Sequence, residues 1–188
     1  MKEIIAAIAV ILAFVAYIPY FRDIIKGKTK PHVYSWFVWG FITVIIFALQ
    51  VKGGAGAGAL VTLSAAICSF AVFFLGLKNG KKDITKSDTV FFLLALLATA
   101  IWVFAKRPGL SVLLLVTIDM LGFIPTVRKS WQKPQEETLF TWELNGFRHG
   151  LSILALKQYN FLTLLYPVAW TLANIFFSLM LVARRKRV

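Results

Sequence analysis

The feature that most constrains this chain is the length of its apolar runs. They cover residues 4–20, 33–50, 57–77, 89–105, 110–127, 139–156 and 161–183, each flanked by Lys, Arg, Gly or Pro. A helix needs about 17–25 such residues to cross a hydrocarbon core roughly 30 Å thick. Inside a bilayer no water satisfies open backbone groups, so helices are the expected form. The runs are too long and continuous for strands of a β-barrel, which alternate over about ten residues. With 59% hydrophobic residues and a mean hydropathy of +0.77, the whole 188-residue chain fits this reading. The expectation is an all-α membrane protein of seven transmembrane helices.

The net charge of +13 suggests nucleic acid until the charges are placed. Numbered alternately from the N-terminus, one side carries Lys2, Lys52, Lys106, Arg107 and Lys157. The other carries Arg22, Lys26, Lys28 and Lys30, then Lys78, Lys81, Lys82 and Lys86, then Arg128, Lys129 and Lys133, and finally the Arg-Arg-Lys-Arg tail at 184–187. This fifteen-to-five bias over short loops is a positive-inside signal. It puts the N-terminus outside and the C-terminus in the cytoplasm, in a bacterial or archaeal cytoplasmic membrane. The basic tail then meets anionic lipid of the cytoplasmic leaflet rather than nucleic acid. Cys68 is the single cysteine, so no intramolecular disulfide forms.

Sliding the chain by 106 positions aligns Ile18-Pro19 with Ile124-Pro125, Arg22 with Arg128, Trp36 with Trp142, Gly40-Phe41 with Gly146-Phe147, Cys68 with Asn174 and Lys78 with Arg184, without a gap. Such self-similarity is the mark of an internal repeat. Four crossings separate the first span from the fifth, an even number, so the two copies face the same way. The organisation expected is two parallel three-helix bundles, 1–87 and 108–188, joined by a linker helix within 88–107. Parallel repeats about an axis normal to the membrane are one transporter plan.

The motif Tyr17-Ile18-Pro19-Tyr20-Phe21-Arg22, the following Ser35-Trp36, and the partner motif Phe123-Ile124-Pro125-Thr126-Val127-Arg128 resemble the PQ-loop superfamily that includes the SWEET sugar transporters. The resemblance covers nearly the whole chain. The glutamine that names the motif falls at Tyr20 and Thr126, and the literal Pro134-Gln135 lies in a loop. The resemblance implies a transporter of a small polar solute, sugar by analogy, working by alternating access. It implies that Pro19 and Pro125 act as hinges, and that Asn174 with its mate Cys68 contacts solute at mid-membrane. Two other members of this fold group remain open: a receptor of the KDEL-receptor type, and a vitamin or nucleoside transporter like those for nicotinamide riboside, suggested by Trp36-x-x-Trp39.

From the residues themselves, the sixth run has the richest polar face. At 100° per residue Trp142, Asn145, Gly146, His149 and Ser152 form one stripe, flanked by Arg148. On the seventh run Pro167, Trp170, Asn174 and Ser178 share a face. Candidate solute contacts are therefore Trp36, Cys68, Trp142, Asn145, His149, Trp170 and Asn174. Asp119 and Arg148 are the costly residues, because an ionisable group in a span costs about 2.5–3.5 kcal/mol and usually marks a pathway or a pair. Both sit roughly 14–15 Å from the cytoplasmic end at 1.5 Å per residue. They are expected to form an ion pair or, with His149, to couple transport to protons. His32 and His149 lie on different stretches, so no metal site is expected, and no Ser/His/Asp set, phosphate loop or cofactor motif is present. The reading excludes an enzyme and accommodates a homo-oligomer.

Overall fold

The computed structural model describes residues 1–79 and 107–187, with residues 86, 89, 90, 93 and 104 of the stretch between them. Six α-helices are described: α1 (Lys2–Ile25), α2 (Val33–Lys52), α3 (Ala59–Asn79), α4 (Pro108–Gln132), α5 (Leu139–Ala155) and α6 (Phe161–Arg185). Short 3-10 turns at Gly56–Gly58 and Pro134–Glu136 precede α3 and α5, and no strand occurs among the described residues. The expected span at 89–105 lies outside the described residues.

Five of these helices are long and apolar enough to cross a membrane. The sixth, α5, has 17 residues and carries Glu143, Arg148 and His149, which lower its hydropathy. The chain is thus an all-α membrane protein, with five such helices among the described residues where the run lengths led to an expectation of seven. Its burial pattern is that of a protein in lipid. Ile4, Ile11 and Ile18 on α1 are more than 60% exposed, as is Phe176 on α6, while Asp119, Arg148, His149 and Asn174 are all buried. In water such an exposed apolar face would be a liability; against acyl chains it costs nothing.

Helix α3 packs between α1 and α2, and α6 packs between α4 and α5. The ring closes through α1 against α5 and α2 against α4. Small residues permit the close approaches. Ala6, Ala9, Ala13 and Ala16 recur every three or four positions along α1 and are fully enclosed. A Cβ on Gly122 would come 3.2 Å from Val38, and one on Gly146 would come 3.3 Å from Asn174.

The helix ends are built locally. Gly27, at φ 69°, turns the chain out of α1. His32 caps α2 by accepting the Ser35 backbone N–H at 3.4 Å. Asn160 and Thr163 form a reciprocal capping box at the start of α6. Pro19 and Pro125 lie inside helices that continue to Ile25 and Gln132. These prolines therefore interrupt helices rather than end them.

The connection at 26–32 meets the one at 133–138. The Lys30 backbone N–H donates to the Glu136 carbonyl at 3.2 Å, and the Lys30 ammonium pairs with the Glu136 carboxylate at 3.1 Å. Thr29 and Thr138 share a hydroxyl bond of 2.7 Å. At the opposite end the Lys157 N–H donates to the Ala55 carbonyl at 3.0 Å, and Asn160 Nδ2 donates to the Gly53 carbonyl at 2.9 Å. Lys2 reaches the Leu156 carbonyl there at 2.5 Å. The first end gathers the basic segments, and α1 and α4 both run toward it.

Candidate functional site

A small cavity of about 30 Å³ lies inside the ring. It is lined by Tyr17 of α1, Trp36, Trp39 and Thr43 of α2, Ala65 and Ser69 of α3, Trp142, Asn145, Arg148 and His149 of α5, and Tyr166, Trp170 and Asn174 of α6. Of the seven solute contacts expected from the sequence, six line it. Cys68 does not; it is a free, buried thiol one position from Ser69, which does. The sequence reading missed Tyr17, Ala65, Ser69 and Tyr166. Tyr166 was detectable as the residue one helical turn before Trp170, on the same face.

Four indoles form the body of the site. Trp36 meets Trp39 edge-on with centroids 4.8 Å apart, and Trp39 meets Trp170 at 5.2 Å and 89°. Trp36 and Trp142, residues 106 apart, approach across the ring at 6.1 Å. His149 stacks near-parallel on Trp170 at 6.3 Å. Edge-to-face and offset contacts of this kind each contribute about 0.5–1.5 kcal/mol beyond area burial, so the walls are rigid.

Asp119 sits behind this wall. Trp170 Nε1 donates to its Oδ2 at 2.5 Å, and Trp39 Nε1 donates to its backbone carbonyl at 3.0 Å. Its other carboxylate oxygen, Oδ1, has no partner. Arg148 is held from its own helix, where Nε donates to Asn145 Oδ1 at 2.5 Å. Its Nη1 is buried without a partner. Asp119 and Arg148 do not form the expected ion pair: no salt bridge joins them. The reason is topological. Equal depth made a meeting conceivable, but α6 lies between α4 and α5 and puts Trp170 beside Asp119 instead. Glu143 points outward and is exposed. Asn174 Nδ2 donates to the Trp170 carbonyl at 2.7 Å, which leaves its Oδ1 buried and unpartnered.

Nearer the basic end lies a cluster the sequence reading did not find. Glu137 is fully enclosed, and Lys129 Nζ pairs with its Oε1 at 2.5 Å. Tyr20 and the Trp142 indole both donate to Oε2, at 3.0 and 3.2 Å. Lys129 also donates to the Lys30 carbonyl, and Arg185 to the Glu137 carbonyl. Glu137 thus ties α1, α4 and α5 together through its carboxylate and α6 through its backbone carbonyl. Lys129 was read as a loop cation of the positive-inside count. It is instead a buried partner, because α4 continues past Pro125 and carries it under the 133–138 connection.

The two repeat-related prolines, Pro19 and Pro125, have matching surroundings. Thr141 Oγ1 of α5 donates to the Ala16 carbonyl of α1 at 2.8 Å, in the turn before Pro19. Ser35 Oγ of α2 donates to the Gly122 carbonyl of α4, in the turn before Pro125. A proline removes a helix donor and crowds the preceding turn, and in each case a hydroxyl from the other half of the ring occupies a carbonyl there. The two motif positions occupied by Tyr20 and Thr126 also bond across the ring, to Glu137 and to Ser35 Oγ at 3.1 Å.

Among the described residues no group of three His, Cys, Asp or Glu side chains is placed to hold a metal. Comparison with family models, with curated proteins and with solved structures gives no match.

Proposed function

We propose that this protein is a transporter of a small polar solute that works by alternating access between two parallel three-helix units, 1–87 and 108–188, joined by a seventh, linker helix within 88–107. The observation that carries the reading is the buried cavity at the centre of the ring, lined by rigid indoles and by polar atoms left without partners. Pockets that fix a small molecule combine apolar walls with a few converging polar groups. The packing order supports the two-unit layout: α3 between α1 and α2 corresponds to α6 between α4 and α5, and α1 against α5 corresponds to α4 against α2. The crossed pair of Ser35 and Thr141 hydroxyls, residues equivalent under the 106-position register, supports it again.

In this reading the loop contacts at both ends are the two gates. The basic end faces the cytoplasm, and its gate is the Lys129–Glu137 cluster with the joined 26–32 and 133–138 connections. Rocking about Pro19 and Pro125 releases it. Asp119, with an oxygen free and a tryptophan shared with the cavity wall, is the group placed to link solute to protons. The PQ-loop and SWEET resemblance makes sugar the first solute class to try.

The test is counterflow. Purified protein in liposomes preloaded with one candidate solute is offered a trace of the labelled solute outside. Transient accumulation above equilibrium supports a carrier. Saturable binding without exchange, across sugars, amino acids, nucleosides and small carboxylates, identifies a receptor instead and removes the transporter reading.

A further inference from the structure

We infer that the solute of the central cavity is a small monocarboxylate with a hydrogen-bond donor, rather than a neutral sugar; this rests on the transport reading above and narrows its substrate class. The cavity is lined by one side chain of fixed charge, Arg148, which is 1% exposed. Among the described residues no carboxylate lines the cavity with it. The two nearby buried acids are otherwise engaged, Asp119 by the Trp170 indole and Glu137 by Lys129. Asn145 takes the guanidinium's Nε and so fixes its plane, while Nη1 remains without an acceptor.

A buried arginine without a counter-charge is a standing cost, since charges enclosed in protein are normally paired. A guanidinium is also the side chain best matched to a carboxylate, through a planar fork of donors. One unpaired cation balances one negative charge, which favours a monocarboxylate over a doubly charged phosphate ester. The cavity lining also offers an acceptor, the unpartnered Oδ1 of Asn174. It asks the solute for a hydroxyl or N–H. Trp36, Trp39 and Trp170 supply apolar wall beside them, and the open space of about 30 Å³ calls for a small solute.

Matched pairs test this on the intact protein in detergent, by calorimetry and thermal shift. The probes are mandelate against mandelamide and galacturonate against galactose, with inorganic phosphate as a third arm. A charge-assisted bond to Arg148 predicts that at least one carboxylate binds about tenfold or more tightly than its neutral mate. Arg148→Gln should erase that preference, and Arg148→Lys should restore part of it. Where the glutamine variant does not fold, the wild-type pairs and the lysine variant decide. Equal binding within both pairs, silence of both carboxylates, phosphate binding as tightly as they do, or a preference that survives Arg148→Gln overturns the inference. A neutral solute that binds and shows counterflow overturns it while leaving transport intact; a carboxylate that binds without counterflow removes transport and leaves the recognition standing.

Discussion

The ring contains two buried clusters of similar chemistry, and they are finished differently. At the basic end Glu137 has an ammonium, a phenol and an indole on its two oxygens, and every partner comes from a different part of the chain. In and just behind the cavity wall, Arg148, Asn174 and Asp119 each keep one polar atom unpaired. Both clusters contain an acid, a base and tryptophans. Satisfaction separates them: a fully bonded network rigidifies the fold, whereas an unfinished one costs stability unless something binds. The first cluster has the form of a clamp and the second the form of a receptacle.

The sharpest way to break this comparison is to remove the clamp's acid. Glu137→Ala strands a buried ammonium, and breaking such a pair costs about 3–5 kcal/mol. The expected outcome is a large drop in melting temperature and low yield in detergent. A variant as stable as the parent would mean the cluster holds nothing together. Next in size is the double change Pro19→Ala and Pro125→Ala. Each restores a helix donor at a site where proline costs up to about 3 kcal/mol, so stability should hold or rise while the counterflow rate falls severalfold. Unchanged counterflow would deny the prolines a hinge role.

Smaller effects probe the interface and the receptacle. Losing the Thr141 hydroxyl in Thr141→Val should cost about 1 kcal/mol, the usual net worth of a buried hydrogen bond. Ser35→Ala should cost more, because it also strands the Thr126 hydroxyl, and thermal unfolding of both variants checks this. Asp119→Asn keeps the shape and still offers an oxygen to Trp170, so folding should be nearly unaffected. Uptake by this variant should lose its dependence on external pH, and a retained pH profile would confine Asp119 to a structural role. The smallest stability change is expected for Arg148→Met. It removes a charge that leaves no counter-charge behind and strands only the Asn145 Oδ1, so the melting temperature should shift little even as carboxylate binding disappears. A collapse comparable to that of Glu137→Ala would show that both clusters are clamps.

Much of this was legible in sequence because lipid imposes simple periodicities. Run length located the described helices to within a few residues at most ends, and helical spacing put Trp142, Asn145, His149 and Ser152 on one face, where all four are buried. What could not be read was lateral order. Depth along a helix is a one-dimensional coordinate, and Asp119 and Arg148 share it, yet nothing in their own helices tells that α6 stands between them. Glu137 was hidden for a related reason. It lies in a polar connection, where an acid is ordinarily solvated, and only the meeting of four chain segments encloses it. Lys129 was misplaced because a cation just past a motif proline reads as the start of a loop.

The crossed hydroxyl bonds around the two prolines have a consequence for how such a sequence can drift. In each, the donor is a side chain and the acceptor is a main-chain carbonyl, of Ala16 or Gly122. The acceptor positions are therefore free of any chemical requirement and answer only to volume, with Val38 standing 3.2 Å from where a Cβ on Gly122 would lie. Substitutions in homologous chains should be lopsided: hydroxyl retained at 35 and 141, any small residue tolerated at 16, and glycine favoured at 122.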